Sequence, residues 1–430
     1  MRVKQWVVLY LMLSVSVVHS ALEVIVVKKN ENAFPIVVSK FKLIGQGTKN
    51  KDISKIINDN LMRSGRFNVF TPNAIVDKIN VQYWKKQDIE ALVIGSIEKE
   101  SDETYKLSVS LFDVYSNTKL FDRTTRVSIN GFRKVAHKIS DDIYEALLGE
   151  SGSFNTLLTY VTVSKNTAGE QVYRLNISDA DAMNVKSRIK QNKPILSPVW
   201  SPDRTYKDKK IAYVSFQNGR SEVFIWHPFM RKKIERLPHF DGIASSPSWH
   251  PDGKKILMTM SMNGNKDIYA YNLENKRFTR WTKHKGIDTE ASYSPNGKYI
   301  VFTSDRSGQV QVYIKNLENG RIRRVTYTGS YNAKAVFSPD GKYLALVHRV
   351  DNDYHIAMLN IETQELSVMS NGSLDESPYF SPNGDMIIFS SNRKGKGILS
   401  VISVRGSRSY ELSSHNVEVR EPNWSTHLEK

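Results

Sequence analysis

Six copies of one short pattern constrain this chain more than anything else in it. An aromatic residue followed by Ser/His-Pro-Asp/Asn-Gly recurs as Trp200-Ser-Pro-Asp, Trp249-His-Pro-Asp-Gly, Tyr293-Ser-Pro-Asn-Gly, Phe337-Ser-Pro-Asp-Gly, Phe380-Ser-Pro-Asn-Gly and a truncated Trp424-Ser425. Counted from aromatic to aromatic, the spacings are 49, 44, 44, 43 and 44 residues. A fixed period of that size marks one supersecondary unit stacked several times, so it overrides a domain count based on length alone. Proline presets φ for the second turn position, Asp or Asn tolerates the third, and glycine takes the positive φ that follows. Between these turns lie short apolar runs such as Tyr343–Val347 and Gln311–Ile314, with no helical period. Four short strands per repeat fit one propeller blade, and the aromatic residues are expected at strand starts, packed between blades.

Six aromatic positions enclose only five complete repeats. The sixth blade must draw its outer strands from residues 157–190 and its innermost strand from Glu421–Ser425. The expected fold is therefore an α/β N-terminal domain followed by an all-β six-bladed β-propeller closed by strands from both ends of the propeller region. Closure leaves the ring without free edges.

The N-terminal region reads differently. Arg2 and Lys4 precede an apolar run from Trp6 to Val18, and Val18-His19-Ser20 offers a cleavage site, so residues 1–20 read as a secretory signal peptide. A single membrane anchor is the competing reading, but the run is shorter than the roughly 20 residues a span needs. The β-branched segment after Ser20 fits either a first strand or an arm that pairs with a partner. Residues 21–150 then mix strands with two amphipathic helices, over 52–64 and over 132–147, the second capped by Asn130 and stopped by Gly149. Glu150-Ser151-Gly152-Ser153 reads as a linker to the propeller, residues 151–430.

Composition excludes several functions. The chain has no cysteine, which removes disulfides, thiolate metal sites and thiol nucleophiles together. No G-x-S-x-G elbow, H-E-x-x-H, P-loop or complete G-x-G-x-x-G occurs. Asp179 and Asp181 lack the glycine and glutamate of a calcium loop. The formal charge is +17, and its basic residues lie scattered along the sequence, which fits either a solvated surface or contact with an anionic one. Function in a propeller often sits at the channel mouth, here expected just before each innermost strand. Three positions before each aromatic stand Ser197, Ser246, Glu290, Lys334, Ser377 and Glu421; one earlier stand Leu196, Ser245, Thr289, Ala333, Glu376 and Arg420. A metal-dependent hydrolase of the lactonase type would want converging carboxylates there, whereas this mixture of signs favours recognition of a protein.

The chain also resembles a known family. Leu61-Met-Arg-Ser-Gly-Arg-Phe-Asn68, Ala91-Leu-Val-Ile-Gly95, Phe216-Gln-Asn-Gly-Arg-Ser221, Asp288-Thr-Glu290, Phe302-Thr-Ser-Asp305 and Leu374-Asp-Glu-Ser-Pro378 are similar to TolB proteins, the periplasmic propellers of the Tol–Pal envelope system. The resemblance implies a protein without catalytic activity or cofactor whose channel mouth binds the lipoprotein Pal through Thr289, Glu290, Asp375, Glu376, Arg420 and Glu421. It implies an N-terminal arm (21–32) that engages TolA through Glu23, Val24, Val26 and Val27, with Lys28-Lys29 departing from the family pattern. Location in the periplasm, a role in outer-membrane integrity and division, and contacts with outer-membrane or peptidoglycan-associated components follow from the same resemblance. Nucleic acid is not an expected partner. No contacts are carried over around His239–Gly242, where the chain departs from the family.

Overall fold

The computed structural model describes residues 33–45, 52–76, 80–231, 233–238, 242–393, 395–405, 409–412 and 417–429. The expected signal peptide, the arm with Glu23, Val24, Val26 and Val27, and residues 239–241 lie outside them.

The first part of the chain forms a mixed sheet in the order Phe67–Phe70, Phe34–Val38, Ala91–Lys99, Thr104–Asp113, Thr118–Ser128, with Lys42–Ile44 also paired to Ala91–Lys99. Pairing is parallel on the Phe34 strand and antiparallel through the last three. Helices α1 (Ile53–Arg63) and α3 (Phe132–Leu148) bury Ile53, Ile57 and Leu61 and Phe132, Ala136, Ile139 and Ile143; a short α2 (Val81–Lys85) buries only Trp84. Gly149 ends α3 in the left-handed conformation at φ 72°, as a C-terminal glycine should. The cap is not Asn130. Residues Ile129–Gly131 form a turn of 3₁₀ helix, and Gly131 precedes α3 with no side-chain bond. The helix starts from that turn, and the turn takes Asn130 out of the capping position.

From Leu157 onward the chain forms six four-stranded antiparallel sheets. Blades one to five span residues 195–236, 244–280, 288–324, 332–368 and 375–411. Blade six is ordered Glu418–Trp424, Leu157–Lys165, Gln171–Asp179, Lys186–Gln191, so the last strand of the chain is innermost in a blade begun at residue 157. Ser425 fastens this closure: its amide donates to the Leu157 carbonyl at 2.9 Å and its hydroxyl accepts from the Leu157 amide at 3.1 Å.

The repeated aromatics end the innermost strands; they do not start them. Trp249, Tyr293, Phe337, Phe380 and Trp424 are the last strand residues, and after the first four of them the Pro-Asp/Asn-Gly turn follows at once. They do pack between blades, and Trp249 Nε1 reaches back to the Val199 carbonyl of blade one at 3.2 Å. In the Phe337 copy the Ser338 hydroxyl bonds Asp340 at 2.5 Å, Asp340 accepts the Lys342 amide at 3.0 Å, and Gly341 sits at φ 74°.

One turn departs from the others: Asp385 stands where three copies carry lysine. It is 5% exposed, and it accepts from Arg66 at 3.2 Å and from the Tyr144 hydroxyl, both in the N-terminal region. Ser403 Oγ also donates to the Ser64 carbonyl at 2.8 Å. A single apolar cluster joins Phe67, Ile143, Tyr144 and Phe154 to Met386, Leu399 and Trp424, so the two parts share a core. Residues 152–155 are held across this seam, because Asp141 of α3 accepts the amides of Phe154 at 2.8 Å and Asn155 at 3.0 Å.

Candidate functional site

The channel is built from the innermost strands, and each carries the same irregularity. Pairing with the second strand shifts register between Leu196 and Val199, Ser245 and Ser248, Thr289 and Ser292, Ala333 and Val336, Glu376 and Tyr379, and Arg420 and Asn423. At the centre of these bulges Ser197, Ser246, Glu290, Lys334, Ser377 and Glu421 all take left-handed φ, between 49° and 57°. The six expected mouth residues thus lie within the strands, where a bulge turns each side chain into the channel. The sequence held a signal for this: Pro198, Pro247, Pro378 and Pro422 follow ring residues directly, and proline inside a strand marks a bulge. A non-glycine residue at left-handed φ costs about 1–2 kcal/mol. Six such residues together cost an amount comparable to a domain's net stability of about 5–15 kcal/mol. A fold retains that strain where position matters more than stability.

The six residues line a throat of about 130 Å³, which widens toward the turns into a space of about 530 Å³ floored by Trp200, Trp249, Tyr293, Phe337 and Trp424. Two carboxylates and one ammonium share the throat with three serines. The Glu290 carboxylate accepts from Thr303 Oγ1 at 3.1 Å, Lys334 Nζ donates to Ser377 Oγ at 3.1 Å, and Glu421 accepts the Ser197 amide. Solvent reaches these groups along the channel, while protein surrounds them on every other side. Burial raises the Glu290 pKa above the ordinary value, with Lys334 and the Thr303 bond working against it. Burial also opposes the Lys334 ammonium, but the carboxylates of Glu421, Glu290 and Glu376 more than offset it, so its pKa lies above that of an ordinary lysine. The ring is stitched from blade to blade: Thr259 of blade two accepts the Glu290 amide at 3.2 Å, and Thr303 of blade three accepts the Lys334 amide at 3.0 Å.

Around the ring, Thr289 is half-buried beside Thr259, whereas Glu376 and Arg420 are exposed. Arg420 is oriented by Glu418, at 2.6 Å from Nε. Asp375 does not join them. It is 0% exposed, its carboxylate accepts from the Ser391 hydroxyl and the Gly372 amide, and it holds the loop behind the mouth. Asp288, in the corresponding place of blade three, is likewise buried and pairs with Arg306 at 2.7 Å and 2.8 Å.

The throat's donors do not suit a divalent ion, because the Lys334 ammonium already supplies positive charge among the carboxylates. A separate group, His137, Asp179 and Asp181, comes together at the seam between the N-terminal region and blade six. Arg133 pairs with both aspartates there, and Asn60 Nδ2 lies 2.9 Å from His137 Nδ1. The Arg133 guanidinium already balances the two carboxylates, so the group is a seam of ion pairs. Sequence separation hid it, since His137 lies about forty residues from the aspartates it faces.

Fold and site together define a two-part propeller protein whose channel presents a polar, strained ring. Residues 144–428 match the TolB β-propeller domain, and residues 22–120 match the TolB amino-terminal domain. The chain is 57% identical to the Tol-Pal system protein TolB of Ruthia magnifica subsp. Calyptogena magnifica, over 99% of this chain and 100% of that protein. It is 43% identical to the Tol-Pal system protein TolB of Alcanivorax borkumensis, over 92% and 91% of the two chains. The crystal structure of TolB from Acinetobacter baumannii superposes with a TM-score of 0.82 at 36% identity, covering 92% of this chain and 97% of that one. The chain belongs to the TolB family.

Proposed function

We propose that this protein acts in the periplasm as a non-enzymatic connector of the Tol–Pal system, binding Pal at the channel mouth and TolA through the arm at residues 21–32. The observation that carries the reading is the ring of six left-handed residues, which presents Glu290, Lys334 and Glu421 in a throat too narrow for a folded element. A partner therefore seats on the mouth and inserts single polar side chains, meeting Thr289, Glu290, Glu376, Arg420 and Glu421. Asp375 supports that rim from behind. Outer-membrane integrity and constriction at division follow as the physiological role of such a link.

A cleft beside the start of the N-terminal region suits coupling between the two partners. The first described residue, Ala33, lines a cleft of about 1550 Å³ between the N-terminal region and blades four and five. An arm that docks there in one state and on TolA in another links the two sites if Pal prefers one state. No helix of the described residues is long and apolar enough to cross a membrane.

Calorimetric titration with the cognate Pal domain, using the mature chain with and without residues 21–32, tests this reading. Binding in both, with an affinity that changes on arm removal, is the expected result. Absence of binding at tens of micromolar would refute the mouth, and equal affinities would refute the coupling.

A further inference from the structure

The positive charge that looks scattered in the sequence is gathered by the fold. Lys186, Arg188 and Lys190 alternate along the outer strand of blade six (Lys186–Gln191) and are exposed. The outer strands of blades one (Lys233–Arg236) and two (Phe278–Arg280) each carry or directly follow at least two basic residues. That of blade three (Ile322–Arg324) holds Arg323 and Arg324 and follows Arg321. Spacing near 44 residues places these segments side by side on the rim. Blades four and five break the series: the outer strand Leu366–Val368 and the turn before it hold Glu362 and Glu365 and no basic residue, and Ser409–Glu411 ends in a carboxylate and packs against the N-terminal region through Tyr410. Four consecutive blades thus form a basic arc, and two do not.

Charge on an outer strand guards an open sheet edge against pairing with other chains, but charge of either sign does that. Edge protection accounts for the charge and leaves unexplained its net positive balance on four consecutive blades, where Glu235, Glu274 and Glu318 are each outnumbered by lysine and arginine. Among the described residues, Lys186, Arg188, Lys190, Arg321 and Arg323 form no ion pair. Apolar side chains stand exposed between them, with Val185 at 40%, Ile234 at 47% and Tyr327 at 68%.

We propose that the rim of blades six, one, two and three is a docking surface for an extended acidic polypeptide segment. Its carboxylates meet the lysine and arginine side chains, and its apolar side chains rest on Val185, Ile234 and Tyr327. The arc follows a convex rim around four blades, so a flat bilayer touches only part of it, whereas an extended chain follows the whole. The exposed apolar residues favour a polypeptide over a purely anionic glycan. The surface is separate from the channel mouth and does not depend on the reading given to it.

Fluorescence anisotropy with a labelled peptide of repeated Glu-Glu-Ser-Leu, added to the mature full-length chain, tests the assignment. Binding that weakens about tenfold or more in the triple variant Arg188→Glu, Arg321→Glu, Arg323→Glu is expected, because exposed charges act over about a Debye length. The triple Lys342→Glu, Arg349→Glu, Lys396→Glu on blades four and five changes net charge equally and is expected to bind as the parent does. Equal weakening in both triples would reduce the effect to net charge and overturn the proposal, as would no binding by the parent chain. Tighter binding to phosphatidylglycerol vesicles than to the peptide would reassign the surface to membranes.

Discussion

The two ends of the innermost strands differ although the same six strands make them. At the turn end three copies repeat Ser-Pro-Asp/Asn-Gly and a fourth differs only in His250, with glycines at φ 70° to 80°, and the bonds close within the turn. At the ring end the backbone is equally regular, six bulges with six left-handed residues, but the side chains differ: serine, serine, glutamate, lysine, serine, glutamate. Constant chemistry at one end spaces and turns the blades. Constant geometry carrying variable chemistry at the other end presents a particular pattern of charge. Within a repeat protein, the positions where residues vary while the backbone does not are those that can carry recognition.

The turn of blade five qualifies the rule from the other side. Asp385 replaces the lysine of its sister turns, and it is the turn buried against the N-terminal region, where it meets Arg66 and Tyr144. Departure from a repeat again marks an interface, here an internal one.

The largest test removes both ends of one strand. Deleting residues 420–430 takes away most of the innermost strand of blade six and opens the ring, so cooperative thermal unfolding of the propeller should be lost; an unchanged melting curve would contradict closure. Next comes Asp385→Lys, which restores the repeat but buries a cation beside Arg66. An uncompensated buried charge costs about 3–5 kcal/mol, readable by urea denaturation, and a neutral outcome would show that the seam does not stabilise the pair.

A pH series probes the same seam. Burial lifts Asp141 to about 7, against the two amide bonds from Phe154 and Asn155. With a folded pKa raised above the unfolded 3.8, its contribution is fully present below that value and is lost as pH rises through 7. Asp141→Asn should therefore gain on the parent chain by about 2–4 kcal/mol between pH 4 and pH 7.5. His137 works in the opposite sense. Burial depresses it to about 4, so its contribution fades as pH falls from 6.5 toward 4 in both proteins and cancels in the difference. The smallest effect is at the ring, where Ser246→Gly relieves one left-handed serine at φ 50° and should stabilise the fold by about 1 kcal/mol; destabilisation would mean the ring is not strained.

Much of this is legible in the sequence because the turns are local. Pro-Asp-Gly fixes its own conformation, so blade number, period and the borrowed strand of blade six can be counted along the chain alone. The bulges are harder, since only four of six copies carry proline, and without the bulge the ring residues look like loop residues ahead of a strand. Asp375 is misplaced by sequence adjacency to Glu376, which hides that successive strand residues face opposite sides; one lies buried on Ser391 and the other is exposed. Asp385, the His137 seam and the basic arc depend on contacts between distant parts of the chain, which no single segment states.

The central claim, that recognition lives at the ring end and stability at the turn end, is tested most directly by titrating the cognate Pal domain into two variants whose melting is also followed. Thr289→Arg with Glu290→Lys should lose at least about tenfold in affinity, about 1.4 kcal/mol, with little change in melting. Asp340→Ala, which breaks the turn bonds to Ser338 and Lys342, should lower the melting temperature and leave the affinity of the folded protein unchanged. Unchanged Pal binding by the ring variant, or lost binding by the folded turn variant, would contradict the account.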